Sequence, residues 1–196
     1  MYSIGNYINL HITYYQMIDK KLIFPGEEVP DLAVETFKSS IWSLKSSKIV
    51  NFCLIVVYRG LHCPICSNYL QEFQNNIENF DLLGTNIIAI STDNLERAKK
   101  SVENWNLNKL HIGYGLSQKT AVSWGLYLSK GIFNPSASVK EPEMFVEPGI
   151  FLVDANFKLY FSNIQSMPFT RPPVNELLSG IKFALDKDYP ARGTLK

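Results

Sequence analysis

Phe52-Cys-Leu-Ile-Val-Val-Tyr-Arg-Gly-Leu-His-Cys-Pro-Ile-Cys-Ser-Asn-Tyr-Leu70 decides the fold. Its opening, Phe52 to Tyr58, is an unbroken apolar run rich in β-branched side chains that ends at Arg59-Gly60. Such a run, with no internal charge, reads as a buried central strand. Beyond it, Leu70, Phe73, Ile77 and Phe80 recur at spacings of three and four, which sets them on one face of an amphipathic helix ending near Gly84. Strand passes directly to helix, and Cys63-Pro64-Ile65-Cys66 lies at the junction.

The same unit recurs downstream. Asn86 to Thr92 contains Ile87, Ile88 and Ile90 and reads as a second buried strand. Asp93, with Glu96 three residues on, resembles a capping box for the next helix, and Leu95, Ala98, Val102 and Trp105 supply its buried stripe. Two strand-helix units in succession predict parallel neighbours with right-handed crossovers. Leu110–Leu116 adds a short strand and Gln118–Leu126 a short helix. Residues 129–148, with Pro135, Pro142 and Pro148, read as a loop.

Gly149–Val153 and Phe157–Phe161 flank Asp154-Ala155-Asn156, the pattern of an antiparallel hairpin. The last helix opens at Pro172-Pro173, where proline suits the first turn, and Val174, Leu177, Leu178, Ile181 and Leu185 face inward. Loose alternation over Ala33–Ser43 predicts an extra hairpin before the central strand. The order is leading hairpin, βαβα, loop, ββ hairpin and closing helix, which describes an α/β sandwich.

A chain of 196 residues, 46% hydrophobic and 19% charged, collapses into a single globular domain. Nineteen basic residues against eighteen acidic ones leave a net charge of +1, which offers no electrostatic footprint for nucleic acid. Residues 1–20 are read as a peripheral N-terminal extension and 21–196 as the domain. Asn6, Asn9, His11, Thr13 and Gln16 interrupt the apolar character of the first segment, which argues against a targeting signal and a membrane span. Three cysteines are a poor count for a secreted disulfide scaffold, and a cytoplasmic location is expected.

In a reducing compartment, two cysteines spaced as Cys63 and Cys66 point to redox chemistry or metal binding. With Pro64 at the first helical position, Cys63 stands at a helix N-terminus, whose unpaired N–H groups and dipole favour thiolate over thiol. Cys66, one turn on, is within reach to resolve a mixed disulfide or sulfenic acid formed on Cys63. Arg59 and His62 stand beside the pair in sequence as sources of positive potential or a hydrogen bond. The reading requires the outer sulfur to be open to solvent. Three alternatives stay on the table: a zinc site, for which Cys53, His11 and His111 are isolated candidates; a structural disulfide; and plain core cysteines, the role assigned to Cys53.

A strand ending in an aromatic residue, then Arg59-Gly60, two residues and Cys63-Pro64-Ile65-Cys66 opening a helix, resembles the peroxiredoxin-like branch of the AhpC/TSA family. Pro148-Gly149-Ile150-Phe151-Leu152-Val153-Asp154, Arg171-Pro172-Pro173 and Tyr189-Pro190-Ala191-Arg192-Gly193 extend the resemblance over residues 25–194. It implies a thioredoxin-like three-layer sandwich with a central mixed sheet and an N-terminal hairpin extension. It also implies reduction of a peroxide or a disulfide, with electrons from a thiol donor such as a thioredoxin-type protein. No cofactor, metal, nucleic acid or membrane is implied, and homodimerisation is left open.

Carried over by motif, Cys63 is the nucleophile, Cys66 the resolving partner, and Pro148 a cis-proline opposite them that exposes the Glu147 backbone to a substrate chain. Two departures matter. Gly60 stands where the family has threonine before its reactive cysteine, unless Cys66 is the attacking residue and Cys63 takes the threonine position. Pro148 stands where the family has arginine, for which Arg59 and Arg171 are the candidate substitutes. The functions in view are thus a peroxide reductase, a thioredoxin-like disulfide reductase, and a redox-inert binding protein using Phe133, Met144 and Phe145 of the 129–148 loop.

Overall fold

The computed structural model describes residues 22–37, 41–133 and 139–196; the N-terminal extension, with His11, lies outside them. Phe52–Val57 forms strand β3, with all six residues buried. It lies in the interior of a seven-stranded sheet, with both of its edges paired. On one side it runs parallel to β4 (Thr85–Ile90), and on the other antiparallel to β8 (Gly149–Asp154). Beyond β4, strand β5 (His111–Tyr114) adds a second parallel pair, as two successive strand-helix units require. β8 turns back through Asp154, whose carboxylate accepts the Asn156 and Lys158 N–H groups, into β9 (Leu159–Ile164).

The leading hairpin exists as β1 (Ala33–Thr36) and β2 (Trp42–Ser43). It belongs to the main sheet, since β1 also pairs antiparallel with β5. The sheet order is β2-β1-β5-β4-β3-β8-β9.

Period-two alternation sends the side chains of β3 to opposite faces. Leu54 and Val56 pack with Leu70, Phe73, Phe80, Trp105 and Ile181. Cys53, Ile55 and Val57 pack with Leu44, Trp124, Phe151 and Val153. Each of the large apolar side chains contributes about 1.5–3 kcal/mol on burial, which places the stability in two cores on either side of one sheet. The architecture is the expected three-layer mixed α/β sandwich. No helix of the described residues is long and apolar enough to cross a membrane.

Several elements differ from their sequence reading. The helix after the cysteines is two: α1 (Pro64–Asn75) and α2 (Ile77–Leu82). They part at Asn76, which leaves helical geometry (φ −108°, ψ 9°) while its side-chain amide donates back to the Glu72 carbonyl. Helix α3 (Leu95–Asn104) is capped by Asn94, which accepts the Arg97 N–H at 3.0 Å. Asp93 is not the cap because it is buried and engaged elsewhere, and Leu95, placed in the buried stripe, is exposed.

Helix α4 (Gln118–Ser123) follows β5 as expected. Residues 129–148 are not all loop, since Leu128–Lys130 (β6) and Met144–Val146 (β7) form an antiparallel ribbon. Three-residue strands are too short to show periodicity between prolines. Helix α5 (Val174–Asp186) begins one residue after Pro173, its N-cap; Val174 and Ile181 are buried, and Leu177, Leu178 and Leu185 pack against the same core.

Candidate active site

Strand β3 delivers the chain to the mouth of α1, where Cys63 and Pro64 shape the joint. Cys63 is the N-cap of α1 and Pro64 its first residue. The Cys66 N–H, in the first turn of α1, is shared between the Cys63 carbonyl at 3.0 Å and Cys63 Sγ at 3.3 Å. Sulfur thus takes the place of the oxygen by which Ser or Thr caps a helix.

The two thiols are free and act on each other, and their acidities are driven apart. The Cys66 thiol, the Cys66 N–H and the guanidinium groups of Arg171 and Arg59 together outweigh burial and bring Cys63 down to about 6. Cys66 is wholly buried beside that sulfur and is held well above the ordinary thiol range. Arg171, whose Nη2 donates to Cys66 Sγ at 3.1 Å, pulls against that rise. Paired titratable groups with separated acidities are a recurring arrangement in sites that need a nucleophile and a proton-bearing partner.

The requirement of a solvent-open outer sulfur is not met, since Cys63 is 2% exposed and Cys66 0%, and this burial counts against the redox reading of the sequence. The cause is the inward pull on the loop before α1. Asp93, 2% exposed, accepts the Leu61 N–H at 2.7 Å and the Arg97 Nε–H at 2.7 Å. Gly60 makes this approach possible, at φ +125° with no side chain between it and the Asp93 carboxylate.

His62 lies in the same shell but supplies no positive charge to Cys63. Burial, then Arg59 and Arg97, hold its imidazole down to about 3, so the ring is neutral at ordinary pH. Its Nδ1 lies 3.3 Å from Arg97 Nη2. A guanidinium has only donors to offer, so Nδ1 accepts and the ring proton resides on Nε2. The His62 ring packs on Phe145 at 4.5 Å between centroids.

Of the two neighbours read from the sequence, Arg59 is the one that brings charge, and carboxylates hold it. Its guanidinium is ion-paired to Glu141 (3.4 Å) and to the buried Glu147 (3.2 Å), and it covers the Phe145 ring at 4.6 Å. Of the three loop side chains named for a binding role, Phe145 is 1% exposed and covers the core, whereas Phe133 and Met144 are exposed.

Pro148 immediately precedes β8, where the resemblance put it, but its peptide bond is trans. Trans is the default for X-Pro by about 0.5–1 kcal/mol. The Glu147 N–H is not open to a substrate chain either. Its N–H donates to the Tyr127 carbonyl at 2.8 Å, extending the β6–β7 ladder by one step past Leu128–Val146.

Cys53 is remote from the pair, on the opposite face of the sheet, and burial pushes its thiol up to about 12. Among the described residues, no cluster of three or more His, Cys, Asp or Glu side chains could hold a metal ion. Asp93 and Arg97 are the participants that sequence reasoning missed. Their spacing of four was visible, but it reads as an ordinary helix-surface pair.

A search among curated proteins finds no match. Solved structures share the fold. Peroxiredoxin 6 of Arenicola marina, in a form with one cysteine replaced by serine, is 17% identical with a TM-score of 0.67, covering 84% of this chain and 74% of its own. The mitochondrial 2-Cys peroxiredoxin from Plasmodium falciparum is 16% identical with a TM-score of 0.64, covering 85% and 96%. A protein from Chlorobium tepidum described as the thiol:disulfide interchange protein DsbE is 17% identical with a TM-score of 0.60, covering 83% and 98%. The AhpC/TSA family profile matches residues 25–162, from the leading hairpin into β9. With the sheet, the strand-to-helix joint and most of the sequence inside that match, the chain belongs to the AhpC/TSA family, a membership that supports a thiol-based redox function in general terms.

Proposed function

We propose that the protein is a thiol peroxidase in which Cys63 attacks a small hydroperoxide and Cys66 resolves the product. The carrying observation is Cys63 Sγ at the cap of α1, hydrogen-bonded by the Cys66 N–H and flanked by the Cys66 thiol. That environment supplies an anion at neutral pH, and the thiolate is the nucleophilic form. The sulfur takes the terminal oxygen of the peroxide, the O–O bond breaks, and the alcohol leaves as alkoxide and is protonated. Arg171 and Arg59, whose charges act on Cys63, offset the charge on the departing oxygen. Cys66 then displaces hydroxide from the Cys63 sulfenic acid, and an external thiol donor reduces the resulting disulfide.

A sulfur 2% exposed favours a small oxidant over the disulfide of a folded protein. The occupied Glu147 N–H favours it too, because an extended substrate chain finds no free main-chain donor there. Protein disulfide reduction is the second reading, supported by Gly60 in place of the family's threonine. Stopped-flow mixing of reduced protein with hydrogen peroxide, and separately with insulin, separates the two. Rapid loss of two thiols with peroxide and slow reduction of insulin are expected. Cys63→Ser abolishes the reaction, and Cys66→Ser halts it at a sulfenic acid that dimedone traps. Selective reduction of insulin would reverse the assignment, and inertness toward both would end it.

A further inference from the structure

Cys66 presents a difficulty if it is to act second. It is fully buried on a face of α1 turned to the core, and neither a carboxylate nor a histidine accompanies the acidity-setting groups around it, which are Cys63, Arg171 and the nearby Tyr58. A buried thiol without a base is a poor nucleophile. Among the described residues, its charged partner is Arg171, at 3.1 Å.

Arg171 reaches that sulfur from a distant part of the chain, the segment before α5, and two contacts with one residue fix its position. Tyr69, three residues after Cys66 on α1, places its ring under the guanidinium at 5.1 Å and donates its hydroxyl to the Pro172 carbonyl at 2.6 Å. The ring orients the charge and the hydroxyl holds the adjoining backbone, so Arg171 is bound at both ends to the helix that carries Cys66.

We propose that Arg171 is the group that activates Cys66 for the second, resolving step, with Tyr69 as the positioning residue that keeps it on the sulfur. This rests on the dithiol reading above. Guanidinium stays protonated in proteins and accepts no proton, so it acts by stabilising the anion. The Cys66 proton passes to water, and the Cys66 sulfur lone pair forms the S–S bond. The bond from Cys63 to its leaving group breaks, and that group departs as an anion. Arg171 favours the charged form of Cys66 at the moment when Cys63, now bonded to the leaving group, is no longer an anion competing for it.

Dithiobis(nitrobenzoate) separates the steps, because one nitrothiolate is released when Cys63 attacks and a second when Cys66 closes the disulfide. In the wild type two phases of equal amplitude are expected. In Arg171→Gln the second phase slows by roughly tenfold, the effect of one unit in thiol acidity, while the first phase, in which Cys63 also loses one of its cationic neighbours, slows by less, since the Cys66 N–H and Arg59 still act on that sulfur. Its pH profile moves upward, Arg171→Lys restores part of the rate, and free guanidinium ion rescues Arg171→Gly. Tyr69→Leu shifts the second-phase pH profile in the same direction, and circular dichroism reports on folding. An unchanged second phase in Arg171→Gln, or equal slowing of both phases, overturns the proposal. Absence of thiol loss when the reduced wild type is mixed with hydrogen peroxide instead overturns the peroxidase reading itself.

Discussion

A methyl group on Gly60 would lie 2.6 Å from Oδ2 of Asp93. The loop before Cys63 and the turn leading into α3 are thus in contact across the parallel pair β3–β4, and the reactive turn is shaped by a carboxylate belonging to the neighbouring unit.

Gly60→Ala is expected to destabilise the protein by about 2 kcal/mol or more, from left-handed strain together with displacement of a buried side chain. Urea denaturation checks this. Gly60→Thr, which restores the residue usual in the family, is expected to be worse, because the larger side chain meets the same carboxylate. A variant as stable as wild type would mean that the Gly60–Asp93 contact is not rigid.

Asp93→Asn keeps an acceptor for the Leu61 N–H but removes the charge facing Arg97, whose side chain is one-fifth exposed. Breaking a partly buried pair in this way is expected to cost about 2 kcal/mol, less than for a fully buried one. Because the loop hangs from this residue, peroxide reactivity should fall with it, measured as the second-order rate of thiol loss.

Ultraviolet absorbance of the thiolate is expected to titrate near pH 6 in the wild type and in Cys53→Ala, and to vanish in Cys63→Ser. Iodoacetamide at neutral pH should label Cys63 ahead of Cys53, whose thiol lies near 12. The folded acidity of Cys63 lies below that of the unfolded thiol, so its contribution to stability is complete above about pH 9 and is lost as the pH falls towards 6. Cys66 has the opposite sign: its contribution is complete below the unfolded value and declines above it.

His62 is expected not to titrate between about pH 5 and 8, the usual range for imidazole, an outcome visible in the C2 proton resonance of its ring. With a folded value near 3 against 6.5 unfolded, its contribution to stability is full above about 6.5 and is lost as the pH falls towards 3. The acid limb of the stability curve should therefore flatten in His62→Gln. A His62 resonance that shifts with a midpoint near 6.5, the ordinary value, would show the ring open to water.

The order of strands and helices was legible because β3, β4 and β8 are apolar runs with turn residues at both ends, and because α1 and α5 carry clear stripes. Cys63-Pro64-Ile65-Cys66 could be placed at a helix start from the proline alone. What escaped reading depends on contacts between segments far apart in the chain. Asp93 looked like a helix cap because its partner Leu61 lies thirty-two residues earlier. Burial of Cys63 follows from that same contact, and the trans bond at Pro148 accompanies a ribbon whose strands are three residues each. Arg171 could be named as a basic residue but not assigned to a sulfur, since only the packing of α5 on α1 brings them together.

The hydrogen bond from Glu147 to Tyr127 has an architectural cost for any change of trade. In this molecule the berth beside the reactive turn is already moored to its own ribbon, so a polypeptide cannot dock there by strand addition. On the peroxidase reading proposed above, selectivity among oxidants would be left to the shape and charge of side chains, and conversion into an enzyme for protein disulfides would begin by cutting β6 and β7 away, not by altering either sulfur.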